Sequence, residues 1–263
     1  MVPKGAPASI LSVAQHQGKP CRPLKTPGAE AEVISDNHVM SISQASAPIE
    51  VARADPRTID TDLVVLPVFE HEFPRASIWE RATGGDVERA VASGEFKGKV
   101  YELFVTPAVD PAWQPRRIGF LGAGPRVGFC ADRARKIAAA LGIAARQRHI
   151  ERVSFAIPDG FESSEIAQAV AEGLTLAEFD AGRYKTTGDE PVQLRTLNIL
   201  LKEDGRPVAE CAGAVQRGRL LAECSNLARQ LANEPGNRLT PRLLAERAME
   251  LGCIPGLSVD VLD

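Results

Sequence analysis

From Pro48 onward the chain alternates short strand-like segments with helix-like ones, and this rhythm constrains the fold more than any other feature of the sequence. Residues 49–53 and 62–69 read as strands joined by the turn-rich Asp55-Pro56-Arg57. Residues 77–93 read as helical, with Ile78, Ala82, Val87 and Val91 spaced three or four apart and a break at Gly84-Gly85 that divides the segment in two. Strands are expected at 99–106 and 117–121, separated by the Pro-rich stretch 107–115. An amphipathic helix follows at 131–147, where Ala134, Ile137, Leu141 and Ala145 share a face. A strand at 153–157 ends at Pro158-Asp159-Gly160. Ser163 or Ser164 then caps a helix with the stripe Ile166, Val170, Leu174 and Ala177. Residues 194–201 form another strand, and 217–232 a helix with the stripe Leu220, Cys224, Leu227 and Leu231. Thr240-Pro241 joins a hydroxyl N-cap to a proline where no N–H is needed, and so starts a further helix. That helix carries Leu244, Ala248 and Leu251 and is expected to stop at a left-handed Gly252. Residues 257–262 alternate as a last strand. Strands alternating with helices place the chain in the α/β class.

Residues 1–47 have a different texture. They are rich in Pro, Gly, Ser, Ala, Gln and Lys, without apolar periodicity, and cannot offset the entropy of ordering. A disordered extension is expected there, with Met40 as a candidate translation start. At the other end the sequence stops within one strand of a helix–strand unit, which predicts a piece cut from a longer chain. No apolar run approaches the ~20 residues of a membrane span. The five cysteines lie far apart without a Cys-x-x-Cys pair, and the four histidines show no ligand spacing. A disulfide framework and a structural zinc are therefore not expected, no signal peptide is apparent, and a reducing cytoplasm is.

Two motifs invite a binding role. Residues 119–125 (Gly-Phe-Leu-Gly-Ala-Gly-Pro) leave a strand and precede a helix, where backbone N–H groups can receive an anion. The dinucleotide spacing fails, since Val127 stands where the third glycine belongs and Pro125 removes a donor. A tight strand-to-helix turn that needs glycine geometry is the plainer reading. Between residues 113 and 152 lie nine basic side chains against two acidic ones: Arg116, Arg117, Arg126, Arg133, Arg135, Lys136, Arg146, Arg148 and Arg152. Such a stripe suits nucleic acid, but a solvated helix face explains it as well, and no aromatic interleaving supports base stacking. Catalytic patterns are missing. There is no Gly-x-Ser-x-Gly elbow and no recurring carboxylate spacing, and Asp159, Asp180 and Asp189 read as turn or cap residues. No catalytic, cofactor-binding or metal-binding residue is assigned.

The most specific segment joins the last two helices. Asn226-Leu-Ala-Arg-Gln-Leu-Ala-Asn-Glu-Pro-Gly-Asn237, then Leu239-Thr240-Pro241 and 244–248 (Leu-Ala-Glu-Arg-Ala), closely resemble the segment joining the two domains of leucyl aminopeptidases, the cytosol aminopeptidases. Residues 62–69, 94–99, 117–122, 171–174 and 183–185 match that family in the same order, so the resemblance spans 49–263. It implies a macro-domain-like mixed sheet flanked by helices over 48–215. Connector helices would follow over 216–263, leading to a catalytic domain absent from this chain. It also implies hexamers, peptide substrates, and two divalent metals (zinc, manganese or magnesium) that polarise the scissile carbonyl and activate water. Some bacterial members also bind DNA. The metal ligands and catalytic residues of the family lie beyond Asp263, so none is carried over. The chain is expected to be the inactive N-terminal part of a cytoplasmic aminopeptidase, structural or oligomerising in role. The alternatives are a macro-like module binding an ADP-ribose-like or anionic ligand, and nucleic-acid binding through residues 116–152.

Overall fold

The structure, a computed structural model, describes residues 46–73, 77–185, 192–202, 208–254 and 256–262. Its strands are β1 (Ile49–Arg53), β2 (Leu63–Phe69), β3 (Leu103–Pro107), β4 (Arg117–Gly124), β5 (Arg152–Ala156) and β6 (Thr196–Leu201). Its helices are α1 (Ile78–Ala82), α2 (Asp86–Ser93), α3 (Ala131–Gln147), α4 (Ser164–Leu176), α5 (Val208–Asn233) and α6 (Pro241–Glu250). The strands form one mixed sheet in the order β1-β6-β5-β2-β4-β3. Only β3 runs against its neighbour; the pairs from β1 across to β4 are parallel. One row of paired residues crosses the whole sheet: Val51, Ile199, Phe155, Val65, Gly119 and Val105. Gly119 belongs there because a Cβ would stand 2.9 Å from Val65 Cγ2.

Each face of the sheet has its own core. On one, Leu63, Val65, Val153, Phe155, Leu197 and Ile199 pack against the apolar stripes of α3, α4 and α5. On the other, Val64, Val68, Ile118 and Phe120 meet Trp79, Ala82, Val87 and Ala90 of α1 and α2, with the Trp79 and Trp113 rings 5.1 Å apart. Parallel strands buried on both faces read as near-continuous apolar runs, and β2 is such a run.

The helix layer rests on three glycines. A Cβ at Gly173 of α4 would lie 2.2 Å from Arg135 O of α3, one at Gly142 of α3 2.5 Å from Ala177 Cβ, and one at Gly218 of α5 2.3 Å from Gln168 O of α4. The helices therefore touch almost backbone to backbone. Arg146 fastens the same layer from inside: it is buried, and its guanidinium donates to Val192 O (3.1 Å), Ala177 O (2.7 Å) and Phe179 O (3.3 Å). One carbonyl accepts after α4, one beyond it, and one ahead of β6.

Several expectations change. The strand expected at 99–106 begins only at Leu103. Ahead of it Tyr101 takes a left-handed turn (φ 75°) and gives its N–H to Gly122 O, while Glu102 Oε2 accepts from the N–H groups of Lys97 and Lys99. α5 starts nine residues before the expected Arg217, and its buried face is Cys211, Val215, Gly218, Ala222 and Asn226. Leu220 and Cys224, expected in its core stripe, are exposed. Small residues face α4 because larger ones would hold the helices apart. α6 ends in a 3-10 turn at Leu251–Cys253, and the left-handed glycine is Gly256 rather than Gly252. Residues 257–262 form no strand, since no described strand pairs with them. The disordered extension, Met40 and Asp189 lie outside the described residues, except Ser46 and Ala47, which lead into β1.

The entry to β1 is held by Glu178, whose Oε1 accepts from Ala47 N (3.0 Å), while Arg219 donates to Ser46 O (3.3 Å). Burial pushes the Glu178 carboxyl above its usual range, outweighing the Ala47 and Ser46 hydrogen bonds and the fields of Arg146 and Arg219.

Two outcomes follow for urea-unfolding measurements. Gly173→Ala destabilises by about 2 kcal/mol, because overpacking outweighs the ~1 kcal/mol gain in helix propensity. Gly213→Ala, in α5 with open space around its Cβ position, gains up to about 1 kcal/mol. Equal effects at the two sites would refute the close α3–α4 contact. A carboxyl raised in the folded state contributes stability below its unfolded pKa and loses it as pH rises through the folded one. Wild type should therefore weaken relative to Glu178→Gln as pH climbs from about 4.3. A difference independent of pH would contradict this.

Candidate functional site

β4 continues three residues beyond its expected end, so Gly122, Ala123 and Gly124 are strand residues, neither a phosphate cradle nor a strand-to-helix turn. Gly122 N–H donates to Glu102 O (2.7 Å) and Gly124 N–H to Gly98 O (2.9 Å), leaving neither for an anion. A Cβ at Gly122 would meet Lys99 O at 1.8 Å, and one at Gly124 would meet Val100 Cγ2 at 2.5 Å. The glycines admit the chain's own 98–102 turn. The turn toward α3 starts at Pro125 and uses Gly128 in the left-handed conformation (φ 81°).

Most of the basic residues already have partners within the fold. Arg146 is interior. Arg152 pairs with Asp60 (2.7 Å) and Asp62 (2.9 Å), Arg126 with Glu72 (2.7 Å), Arg135 with Glu172 (3.0 Å) and Lys136 with Asp132 (2.8 Å). Arg133 donates to Pro125 O (2.7 Å). Burial pushes Asp62 up, but hydrogen bonds from the Arg152 side chain and N–H, with its charge, hold the carboxyl below the usual range. Most of these counter-ions come from outside residues 113–152, so a charge count along the sequence could not register them. Arg116, Arg117 and Arg148 remain exposed; the Arg116 charge also acts on Asp62, and Arg117 N–H donates to Asp62 O, so both stand near Arg152.

In open α/β sheets ligands favour the carboxyl ends of neighbouring strands whose connections diverge to opposite faces. Here those strands are β2, which leads to α1 and α2, and β5, which leads to α4. The Phe69, Phe129 and Phe161 rings occupy this point, with centroids 5.2, 5.5 and 4.7 Å apart. The Arg126 guanidinium lies over Phe69 at 4.5 Å. Lys202 and Asp159 form an ion pair (3.2 Å) at the same end of the sheet. An aromatic cluster and an ion pair therefore line the end of the sheet where a ligand would be expected to enter.

The connector is organised differently. Asn226, buried within α5, donates to Thr175 O (2.8 Å), and Arg229 bridges Asn226 Oδ1 (2.9 Å) and Leu176 O (3.2 Å) with its guanidinium 4.7 Å from the Phe179 ring centre. An asparagine in a helix interior is the sequence signal for this tie, one that apolar spacing does not register. After α5, Arg238 and Leu239 give their N–H groups to Pro235 O (2.8 and 3.0 Å). Thr240 Oγ1 caps α6 by accepting from Leu243 N (3.3 Å), as its sequence position implies. α6 has no buried residue, and Leu220, Leu221, Leu243, Leu244, Met249 and Leu251 are exposed along α5, α6 and the turn that follows. Among the described residues no three His, Cys, Asp or Glu side chains converge as metal ligands, and no helix is long and apolar enough to cross a membrane.

Comparison with known proteins matches residues 65–188 to the N-terminal domain of the cytosol aminopeptidase family. A probable cytosol aminopeptidase of Solibacter usitatus is 32% identical over 215 residues, covering 82% of this chain and 42% of that protein. One of Acidobacterium capsulatum is 34% identical over 184 residues, covering 69% and 36%. The chain thus spans well under half the length of these relatives. Among solved structures, a tomato leucine aminopeptidase variant shares the fold with a TM-score of 0.66 at 22% identity, covering 80% of this chain and 43% of its own. The bottromycin maturation enzyme BotP, solved in complex with Mn, has a TM-score of 0.55 at 24% identity and coverages of 73% and 36%. Over residues 65–188, this chain carries the N-terminal domain of the cytosol aminopeptidase family.

Proposed function

We propose that this chain supplies the N-terminal, non-catalytic module of a cytoplasmic, metal-dependent leucyl aminopeptidase that releases N-terminal amino acids from peptides. The family match over residues 65–188 carries this reading. The proposed organisation is a macro-like domain over 48–215 and a connector over 216–263 leading toward a catalytic domain; α5 runs unbroken through the junction and would tie the two rigidly. The role of the module is structural, in hexamer contacts and in shielding neighbouring active sites. The two divalent metals belong to the catalytic domain.

The apolar residues along α5 and α6 supply the surface that a catalytic domain would cover. A contiguous apolar patch on a monomer marks an interaction face. The purified 263-residue chain should therefore hydrolyse no leucine anilide in the presence of manganese, and turnover would overturn the proposal. It should also bind a hydrophobic dye, and Leu220→Glu with Leu244→Glu should abolish most of that binding. A monodisperse monomer without dye binding would count against a covered connector face.

A further inference from the structure

α6 touches the rest of the protein lightly. It buries no residue, its Arg242–Glu246 pair is internal, and Thr240 caps its own first turn. Among the described residues, the side-chain hydrogen bond that ties α6 to anything beyond its cap is Arg247 Nη1 donating to Glu234 Oε1 (3.0 Å). Glu234 stands just past the end of α5, before Pro235. Its side chain is only 5% exposed, against 28% for Arg247, and its Oε2 is buried with no donor among the described residues. A carboxylate so enclosed demands a counter-charge, and an isolated buried charge is strongly unfavourable. Any rotation of α6 that withdrew Arg247 would leave Glu234 uncompensated.

We propose that Glu234 is the elbow residue of the connector: its ion pair with Arg247 fixes the angle between α5 and α6 and presents α6 as a preset arm. The turn at Pro235–Thr240 sets which angles are reachable, and Glu234 selects one of them. Ala245, Arg247 and Ala248 are then the half-buried side of the arm, while Leu243, Leu244 and Met249 face outward. An arm held in one orientation docks without the cost of ordering it on contact. The elbow stands whether or not the outward face serves an aminopeptidase, because it concerns only α5, α6 and the turn between them.

The test measures spin-label distances in the full chain. Labels at Ala228→Cys and Glu250→Cys, with Cys21, Cys130, Cys224 and Cys253 replaced by Ser, report the separation of α5 from the end of α6. The parent should give a single narrow distance. Arg247→Met and Glu234→Ala should each lose that peak to a broad distribution while far-UV helix content is retained, and Arg247→Lys, which keeps the charge, should restore it. If either truncation also lowers helix content, Glu234→Gln decides the matter, since it keeps the shape and removes the charge; broadening is expected. A narrow peak surviving in Glu234→Ala and Arg247→Met, or in Glu234→Gln where those lose helix, or a broad distribution already in the parent, would overturn the proposal.

Discussion

The close approach of α3, α4 and α5 is the constraint on which the rest of the structure depends. Gly142, Gly173 and Gly218 let these helices lie against one another with backbone atoms where side chains would normally stand. α4 is held on both sides, by α3 through its own Gly173 and by α5 through Gly218. The layer so formed covers Val153, Phe155, Leu197 and Ile199 and positions α5, from which the connector departs. Arg146 serves the same arrangement by a different means. Its guanidinium gathers carbonyls at the end of α4 and ahead of β6, where no regular ladder can receive them.

Glycine has two other uses on the opposite edge. Gly119 makes room for Val65 within the sheet, and Gly122 makes room for the Lys99 carbonyl of the turn before β3. Both lie in a segment whose composition suggests a ligand cradle. In both cases the neighbour that takes the space is the chain itself, and the N–H groups that would greet an anion are already donating within the fold.

Local chemistry made some elements legible in the sequence. The limits of α3 follow from its apolar spacing, Ser163 from its position ahead of the Ile166 stripe, and the start of α6 from Thr240-Pro241. The elements that were not legible depend on partners distant in sequence. The buried face of α5 could not be picked out by hydrophobicity, because α4 selects small residues and leaves Leu220 in solvent. The turn at 99–102 is decided by Gly122 and by the reach of Glu102. The ion pairs that partner the basic cluster draw on Asp60, Asp62, Glu72 and Glu172. The family, by contrast, was readable from the Asn-Glu-Pro connector, whose residues the structure places at α4's carboxyl end and at the elbow before α6.

The pairing of β1 with β6 has a temporal side. β1 leaves the ribosome first among the described strands, yet its described partner in the sheet is the last of them to be made. At about 5–20 residues per second, the roughly 150 residues between them leave β1 waiting for on the order of 10 s. Throughout that interval it is an unpaired edge, of the kind that invites pairing with another chain. Its sequence suits the wait: Glu50 and Arg53 place charges of opposite sign on a strand of five residues, too short and too polar to recruit a stranger readily. Among the described strands, the one made first is thus the one whose partner becomes available last.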